Sequence, residues 1–329
     1  MKRLLVFAMI CASVAPPIPA AHAAGIRGAT PFDWHLPPGF PLPIAGSNIQ
    51  SQEKFELGRR LFYDKRLSLN ETQSCADCHQ QRFAFSDGRT RAIGSTGQQH
   101  SRNAMTLTNA AYNTTYTWDN VRVRTLEQQA LVPMFNEHPI ELGLKGHEKE
   151  IESRFSGDVA LFRAAFPGER RPVSITNIAR ALAAFERALI SGRSPYDRLV
   201  YGGEEKALTP EAWRGMQLFF SKRAGCSDCH RGFNFSGDVR YAGKRDGRPQ
   251  LVSNGVTMGR FRVPTLRNVA LTAPYMHNGS IDTLARVIDR YSEARKLGLS
   301  EKEKSDLLAF LESLTDLEFV TDTRFSAPR

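Results

Sequence analysis

Two pentapeptides, Cys75-Ala76-Asp77-Cys78-His79 and Cys226-Ser227-Asp228-Cys229-His230, constrain the fold of this chain more than any other feature. Two thiols three residues apart can form thioethers to the two vinyl groups of one porphyrin. The imidazole that follows then lies beneath the iron as its proximal ligand. With five cysteines and eight histidines in 329 residues, chance yields about two such matches per thousand chains of this composition, so a duplicate is not accidental. Cys-x-x-Cys pairs also bind zinc or act as thioredoxin-like redox centres, but neither role explains a histidine directly after the second cysteine in both copies. Each copy is read as a covalent haem c site, and the chain has to wrap two porphyrins.

The N-terminus fits that chemistry. Lys2 and Arg3 precede an apolar run from Leu4 to Val14, and Ala21-His22-Ala23 offers a small-x-small cleavage site, so residues 1–23 read as a secretory signal peptide. The run is too short to cross a bilayer, which takes about 20 apolar residues, and nothing later approaches that length. The expected mature protein is periplasmic, with no membrane span. Cys11 leaves with the signal and the other four cysteines sit in the haem motifs, which leaves none for a structural disulfide. Loss of Lys2 and Arg3 lowers the formal charge from +10 to +8. That excess is scattered, as in Arg59-Arg60 and Arg170-Arg171, and suits steering of an acidic protein partner; no nucleic-acid motif is present.

Segment patterns divide the chain in two. Pro31 to Pro43 holds five prolines and reads as an irregular arm. From Ser51, Phe55, Gly58, Leu61 and Phe62 share one helical face leading to the first motif. The second motif has the same approach: Gly58 to Arg66 aligns with Gly215 to Arg223, and Phe83-Ala84-Phe85-Ser86 with Phe233-Asn234-Phe235-Ser236. Thr209-Pro210-Glu211 reads as an N-cap with proline at the first helical position. Ile178, Leu182, Phe185 and Leu189 predict an amphipathic helix from Ser174 to Ile190, stopped at Gly192-Arg193-Ser194-Pro195. Ser300 with Glu303 forms a capping box ahead of Leu307, Leu308, Leu311 and Leu314. Strand-like alternation is scarce. The expected fold is mainly α, with two cytochrome c-like domains, each built round one haem: residues 24–192 with the peroxide site, and 193–329.

Taken together, the two motifs, Arg102-Asn103, Trp118-Asp119, Gln129 with Pro133, Pro139-Ile140-Glu141, Val263 to Asn268 and Ala273 to His277 resemble the bacterial di-haem cytochrome c peroxidase superfamily, within it the MauG/MbnH-type branch. The resemblance covers essentially the whole mature sequence. It implies a peroxide-dependent haem oxidoreductase, with hydrogen peroxide as oxidant and a periplasmic partner protein as substrate or electron donor.

Further expectations depend on that resemblance. Where related peroxidases place a histidine over the first iron, this chain has Ile93-Gly94-Ser95, so the His79 haem is expected to be five-coordinate; His100 is the nearest alternative cap, or a hydrogen-bonded loop histidine beside Arg102. For the second iron the aligned sixth ligand is Tyr291, although Leu284, Val287, Ile288 and Tyr291 also form a helical stripe that could simply pack. Met216, Met258 and Met276 are fallback ligands. Glu141 matches the family's acid/base carboxylate and Gln129 its polar neighbour, while two additional residues between Pro133 and Glu141 leave Glu137 and His138 as substitutes. Trp118 matches the tryptophan that relays charge between the haems, and Asn103, Thr272 and Pro274 match a calcium site. MauG and MbnH relatives oxidise tryptophan side chains of partner proteins. The alternatives are a cytochrome c peroxidase served by a small donor protein and a non-catalytic di-haem electron carrier.

Overall fold

The computed structural model describes residues 29–240, 252–253, 256–257 and 261–329. The signal segment, Cys11 and Met258 lie outside the described residues. What is described is rich in helix with little sheet.

Two helix crossings organise the molecule. α1 (Gln52–Tyr63) starts at Ser51, whose side chain accepts from the Lys54 amide. The short α2 (Cys75–Cys78), α3 (Leu126–Phe135), α4 (Glu148–Arg154) and α5 (Val159–Ala165) precede α6 (Ile175–Arg187), capped by Ser174. Gly58 lets α1 pack on α6 at backbone distance, since a Cβ there would lie 2.0 Å from the Ala181 carbonyl oxygen. Phe55, Leu61 and Phe62 bury against Leu182 and Phe185 around this crossing. The amphipathic helix expected to reach Ile190 ends at Arg187, with Ala188 as its C-cap. The chain then turns so that the Ser191, Gly192 and Arg193 amide region can meet Asp316.

After α7 (Pro195–Val200), the pattern repeats. α8 (Pro210–Phe219) starts at the expected Thr209 cap with Pro210 in its first turn. It crosses α10 (Glu301–Glu312), which carries the expected Ser300/Glu303 capping box and is preceded by α9 (Leu284–Ala294). Gly215 meets the Asp306 carbonyl as Gly58 meets that of Ala181. Tyr196, Phe219, Phe235, Ile288, Leu307 and Phe310 form a second apolar core here. The small amount of sheet is β1 (Gly237–Arg240) paired antiparallel with β4 (Phe261–Val263), and β2 (Val252–Ser253) with β3 (Val256–Thr257).

The two cores are tied together. The segment after α10, including α11 (Leu317–Thr321), returns to the first core, where Phe319 packs 5.6 Å from Phe85 between ring centroids and the Tyr63 hydroxyl donates to the Phe325 carbonyl at 2.7 Å. The proline-rich arm lays Phe40 between Phe233, Tyr201 and Tyr112. At the junction, Asp316 Oδ2 accepts from Ser191 Oγ and from the Gly192 and Arg193 amides, each at 3.0 Å. Asn268 donates to Ser191 Oγ at 2.9 Å and accepts from the Asp316 amide at 2.7 Å. A buried carboxylate holding three donors fixes how the halves meet, because each unmade bond would strand a buried polar group.

Candidate functional site

Each Cys-x-x-Cys-His pentapeptide presents its histidine in the same way. His79 Nδ1 lies 2.9 Å from the Phe85 carbonyl oxygen and His230 Nδ1 3.1 Å from that of Phe235. Carbonyl oxygens only accept, so Nδ1 carries the proton and Nε2 is left bare as a metal-ligating atom. Burial lowers the pKa of both imidazoles, which favours this neutral form. Phe85 and Phe235 hold left-handed backbone angles, φ 61° and 46°, that turn their carbonyls toward the rings. A second pair of strips supports each turn: the Thr265 hydroxyl donates to the Asn234 carbonyl at 2.6 Å, and Thr106 donates to the Ala84 carbonyl. Thr106-Leu107-Thr108-Asn109 thus repeats as Thr265-Leu266-Arg267-Asn268, a match too short to stand out from the sequence without the fold. Both Asn109 and Asn268 are left-handed and each leads into a single 3₁₀ turn.

None of the four described cysteines is paired in a disulfide. Burial, with Glu186 adding its charge, pushes Cys75 far up, and burial pushes Cys78 up to about 12. Such thiols are poor metal-binding thiolates.

Beside the first motif, a loop after α3 presents Glu141. The Leu142 amide donates to the Pro133 carbonyl at 3.0 Å and the Leu144 amide to that of Met134 at 2.8 Å, folding the loop back on the helix end. Asn136 Nδ2 lies 3.4 Å from one Glu141 oxygen and His100 Nε2 3.8 Å from the other. Although about a quarter of the side chain, 26 %, is open to solvent, the carboxyl lies deep among protein atoms, and desolvation raises its pKa to about 7. Glu137 points away: it is exposed and paired with Lys145 at 2.5 Å, which lowers its pKa. His138 is exposed. Gln129 is partly buried on α3, and Ser95 is held by backbone contacts, its amide donating to the Glu141 carbonyl at 2.9 Å. His100 therefore sits at the carboxylate, a placement its spacing from Arg102 does not announce.

Trp118 lies between the two halves. Its Nε1–H donates to the Asn103 carbonyl at 2.9 Å, its own carbonyl accepts from the Arg262 amide at 2.7 Å, and its ring lies edge-on to Phe261 and His277. Asn103 also receives its backbone bond from the far half, donating its amide to the His277 carbonyl at 2.9 Å, while its Nδ2 donates to Arg89 O at 2.7 Å. The Thr272 hydroxyl is turned to the Val269 carbonyl at 3.1 Å, and Pro274 follows a cis peptide. Beside the second motif stands Tyr291 on α9, with 41 % of the residue exposed, although its phenol lies among protein atoms within electrostatic reach of the Cys229 and Cys226 thiols and that desolvation raises its pKa. Met216 packs against the second core, and Met276 adopts a left-handed backbone, φ 74°.

Arg262 tests whether these residues suit a haem. Its side chain is buried, and among the described residues Nε has no hydrogen-bond partner and Nη2 meets the Met105 sulfur at 3.4 Å. A buried guanidinium without a counter-ion is costly. A porphyrin propionate would supply the missing anion, and with the two Cys-Cys-His sets the donor chemistry fits.

Residues 52–206 match the family model for di-haem cytochrome c peroxidase. The chain is 36 % identical to the methylamine utilization protein MauG of Methylorubrum extorquens over 85 % of its own length and 83 % of that protein's. The chain belongs to the di-haem cytochrome c peroxidase family. It is also 32 % identical to the cytochrome c551 peroxidase of Pseudomonas aeruginosa, over 95 % of this chain and 92 % of that one. Among solved structures, a MauG-like protein associated with microbial copper homeostasis superposes with a TM-score of 0.81 at 40 % identity, covering 90 % of this chain and 99 % of that one. As a member of this family the protein is a haem peroxidase-type oxidoreductase, with hydrogen peroxide as oxidant and a protein as electron donor or substrate. Among the described residues no helix is long and apolar enough to cross a membrane.

Proposed function

We propose that the protein, exported to the periplasm through residues 1–23, activates hydrogen peroxide at a haem c held by Cys75, Cys78 and His79. Oxidising equivalents are shared through Trp118 with a second haem c, held by Cys226, Cys229 and His230 and closed by Tyr291, and are finally drawn from a tryptophan of a partner protein. Residues 24–192 and 193–329 are the two haem domains, the tail after α10 being exchanged onto the first core. Asn103, Thr272 and Pro274 form a calcium site between them.

When bound, an open haem supplies an iron that accepts peroxide and exchanges electrons. The chain's residues handle the protons and the path. Glu141 takes a proton from the inner peroxide oxygen and returns it to the outer one, and a carboxyl with a pKa about 7 can do both near neutrality. Asn136 holds its other oxygen. Trp118, anchored by Asn103 and Arg262 from opposite halves, holds its indole in the electron path. A phenolate at Tyr291 would favour higher oxidation states of the second iron, where a methionine thioether would favour the reduced one.

The single observation that carries this reading is Glu141, a carboxyl with its pKa raised to about 7, set between Asn136 and His100 beside the first motif. Ferric EPR and optical spectra of the haem-loaded protein test it. One high-spin and one low-spin haem, with both spectra changing on addition of peroxide, is the expected result, and Glu141→Gln should slow that change with little effect on the resting spectra. Two low-spin haems unresponsive to peroxide would make the protein a carrier. Peroxide consumption sustained by a small donor cytochrome, without oxidation of any protein tryptophan, would favour the donor-served peroxidase, to which the match to the Pseudomonas aeruginosa enzyme also points.

A further inference from the structure

We infer that His100 is a second proton-handling residue of the peroxide site, one that acts through Glu141. This deepens the reading above and rests on it. Residues 92–100 fold against the loop that presents the carboxylate. The Ser95 amide donates to the Glu141 carbonyl at 2.9 Å, the Ile140 amide to the Gln98 side chain at 3.1 Å, and the Gly94 amide to the Gln98 carbonyl at 2.8 Å. The approach is close enough that a Cβ on Gly94 would lie 1.9 Å from the Ile140 carbonyl oxygen. With its own amide bonded to the Ala92 carbonyl at 2.9 Å, His100 is held with Nε2 3.8 Å from Glu141 Oε2.

The groups facing the pair leave the proton between these two side chains. Glu141 faces His100, Asn136 and, at electrostatic range, the Cys75 and Cys78 thiols. His100 faces Glu141 and Asp87; Asp87 accepts from the Arg89 amide through one oxygen and leaves its buried Oδ2 without a partner. Burial lowers the His100 pKa and raises that of Glu141 to about 7, so near neutrality the imidazole favours its neutral form and the carboxyl is divided between its two forms. The imidazole can then take a proton from solvent, and the carboxylate form can receive it. His100 keeps 16 % of its side chain open, a narrow route to solvent.

The chemistry requires such a route. Reduction of one hydrogen peroxide to two waters consumes two electrons and two protons. The electrons come from the substrate, and the protons have to come from water. Moving a proton between the two peroxide oxygens leaves Glu141 as it began and brings in neither of these protons, which have to reach the site as the second water forms. Nε2 of His100 accepts a proton from solvent and, because 3.8 Å exceeds direct hydrogen-bond reach, passes it to Oε2 through one bridging water, leaving the imidazole neutral again.

Peroxide turnover by the haem-loaded protein with an artificial electron donor, measured across pH, tests the relay. As pH falls the Glu141 carboxylate takes up a proton and can no longer accept one from peroxide, so the logarithm of the rate should fall with a limiting slope of one; as pH rises the imidazole no longer carries a proton to pass on, and the rate should fall again. His100→Gln keeps an amide donor beside Glu141 but cannot carry a proton. It should turn over about tenfold more slowly, below the 10²–10⁴ typical of a primary acid/base group, with the acid limb kept, the alkaline limb lost and an unchanged resting spectrum. His100→Asn should behave in the same way, and H100Q/E141Q should be no slower than E141Q alone, because the histidine works through the carboxylate. Wild-type rate and pH profile in both histidine variants would overturn this inference while leaving Glu141 in place. An altered resting spectrum would make His100 an iron ligand, and multiplicative losses in the double variant would make it independent of Glu141; either overturns the relay. A wild-type rate in E141Q would instead overturn the reading on which the inference rests.

Discussion

A Cβ on Gly215 would lie 1.8 Å from the carbonyl oxygen of Asp306, which is what allows α8 to cross α10 at backbone contact. Gly58 meets Ala181 in the same manner at the α1–α6 crossing, so both halves depend on a missing methyl group. Gly215→Ala and Gly58→Ala should each cost about 1–3 kcal/mol by overpacking. Thermal unfolding of the haem-loaded protein should show a lowered midpoint for each variant. Wild-type midpoints would mean that the crossings yield freely.

Nη1 of Arg267 donates to both carboxylate oxygens of Asp197, at 2.9 and 2.8 Å, with side-chain exposures of only 1 % and 2 %. The guanidinium also donates to the Phe233 carbonyl and lies 4.8 Å from the centroid of the Phe40 ring, so it ties α7 to the turn that orients His230. Arg267→Met strands a buried carboxylate and should destabilise by about 3–5 kcal/mol. Adding Asp197→Leu should recover part of that loss. Denaturant midpoints of the single and double variants check this; a double variant weaker than the single would show that the pair is not the source of the loss.

Much of this was legible in the sequence wherever local chemistry decides the outcome. Thr209-Pro210 and the Ser300/Glu303 box start helices where they stand because caps satisfy amides within one turn. The return of Phe319 and Phe325 to the first core was not legible, since it depends on packing between residues far apart in the chain and on no local pattern. The Thr106/Thr265 repeat was present but faint, because only Thr, Leu and Asn match across it. His100 was visible as an alternative iron cap or a hydrogen-bonded loop histidine beside Arg102, and not as a neighbour of Glu141. Its position at Glu141 follows from the fit of Gly94 against Ile140, a contact between loops with no periodicity to betray it.

Glu186 on α6 is buried with Oε2 unpartnered, and desolvation raises its pKa to about 8. A carboxyl whose folded pKa lies above the unfolded value near 4.5 favours the fold fully below that lower value and loses the contribution as pH rises through about 8. Glu186→Gln has no charge to bury. It should match wild type at pH 4.5 and exceed it at pH 9 by a few kcal/mol, at about 1.4 kcal/mol per pKa unit. Unfolding midpoints of both proteins at the two pH values decide the point: a gap that does not widen toward pH 9 would sink it.

Arg262 joins the two halves through its amide bond to Trp118, and its buried guanidinium reaches Met105, whose backbone faces His79. Desolvation lowers its pKa to about 10, which still leaves it cationic at neutral pH. A fixed positive charge near an iron disfavours the oxidised metal, and a propionate partnered by that charge is neutralised rather than left to stabilise it. Arg262→Met should therefore lower the reduction potential of the His79 haem and leave that of the His230 haem largely in place. The shift should be tens of millivolts, on the scale of about 59 mV for each 1.4 kcal/mol in a one-electron couple. Spectroelectrochemical titration, with haem content checked in the same samples, measures both potentials. Equal shifts at the two haems, or none at the first, would mean that the guanidinium does not serve the N-terminal porphyrin.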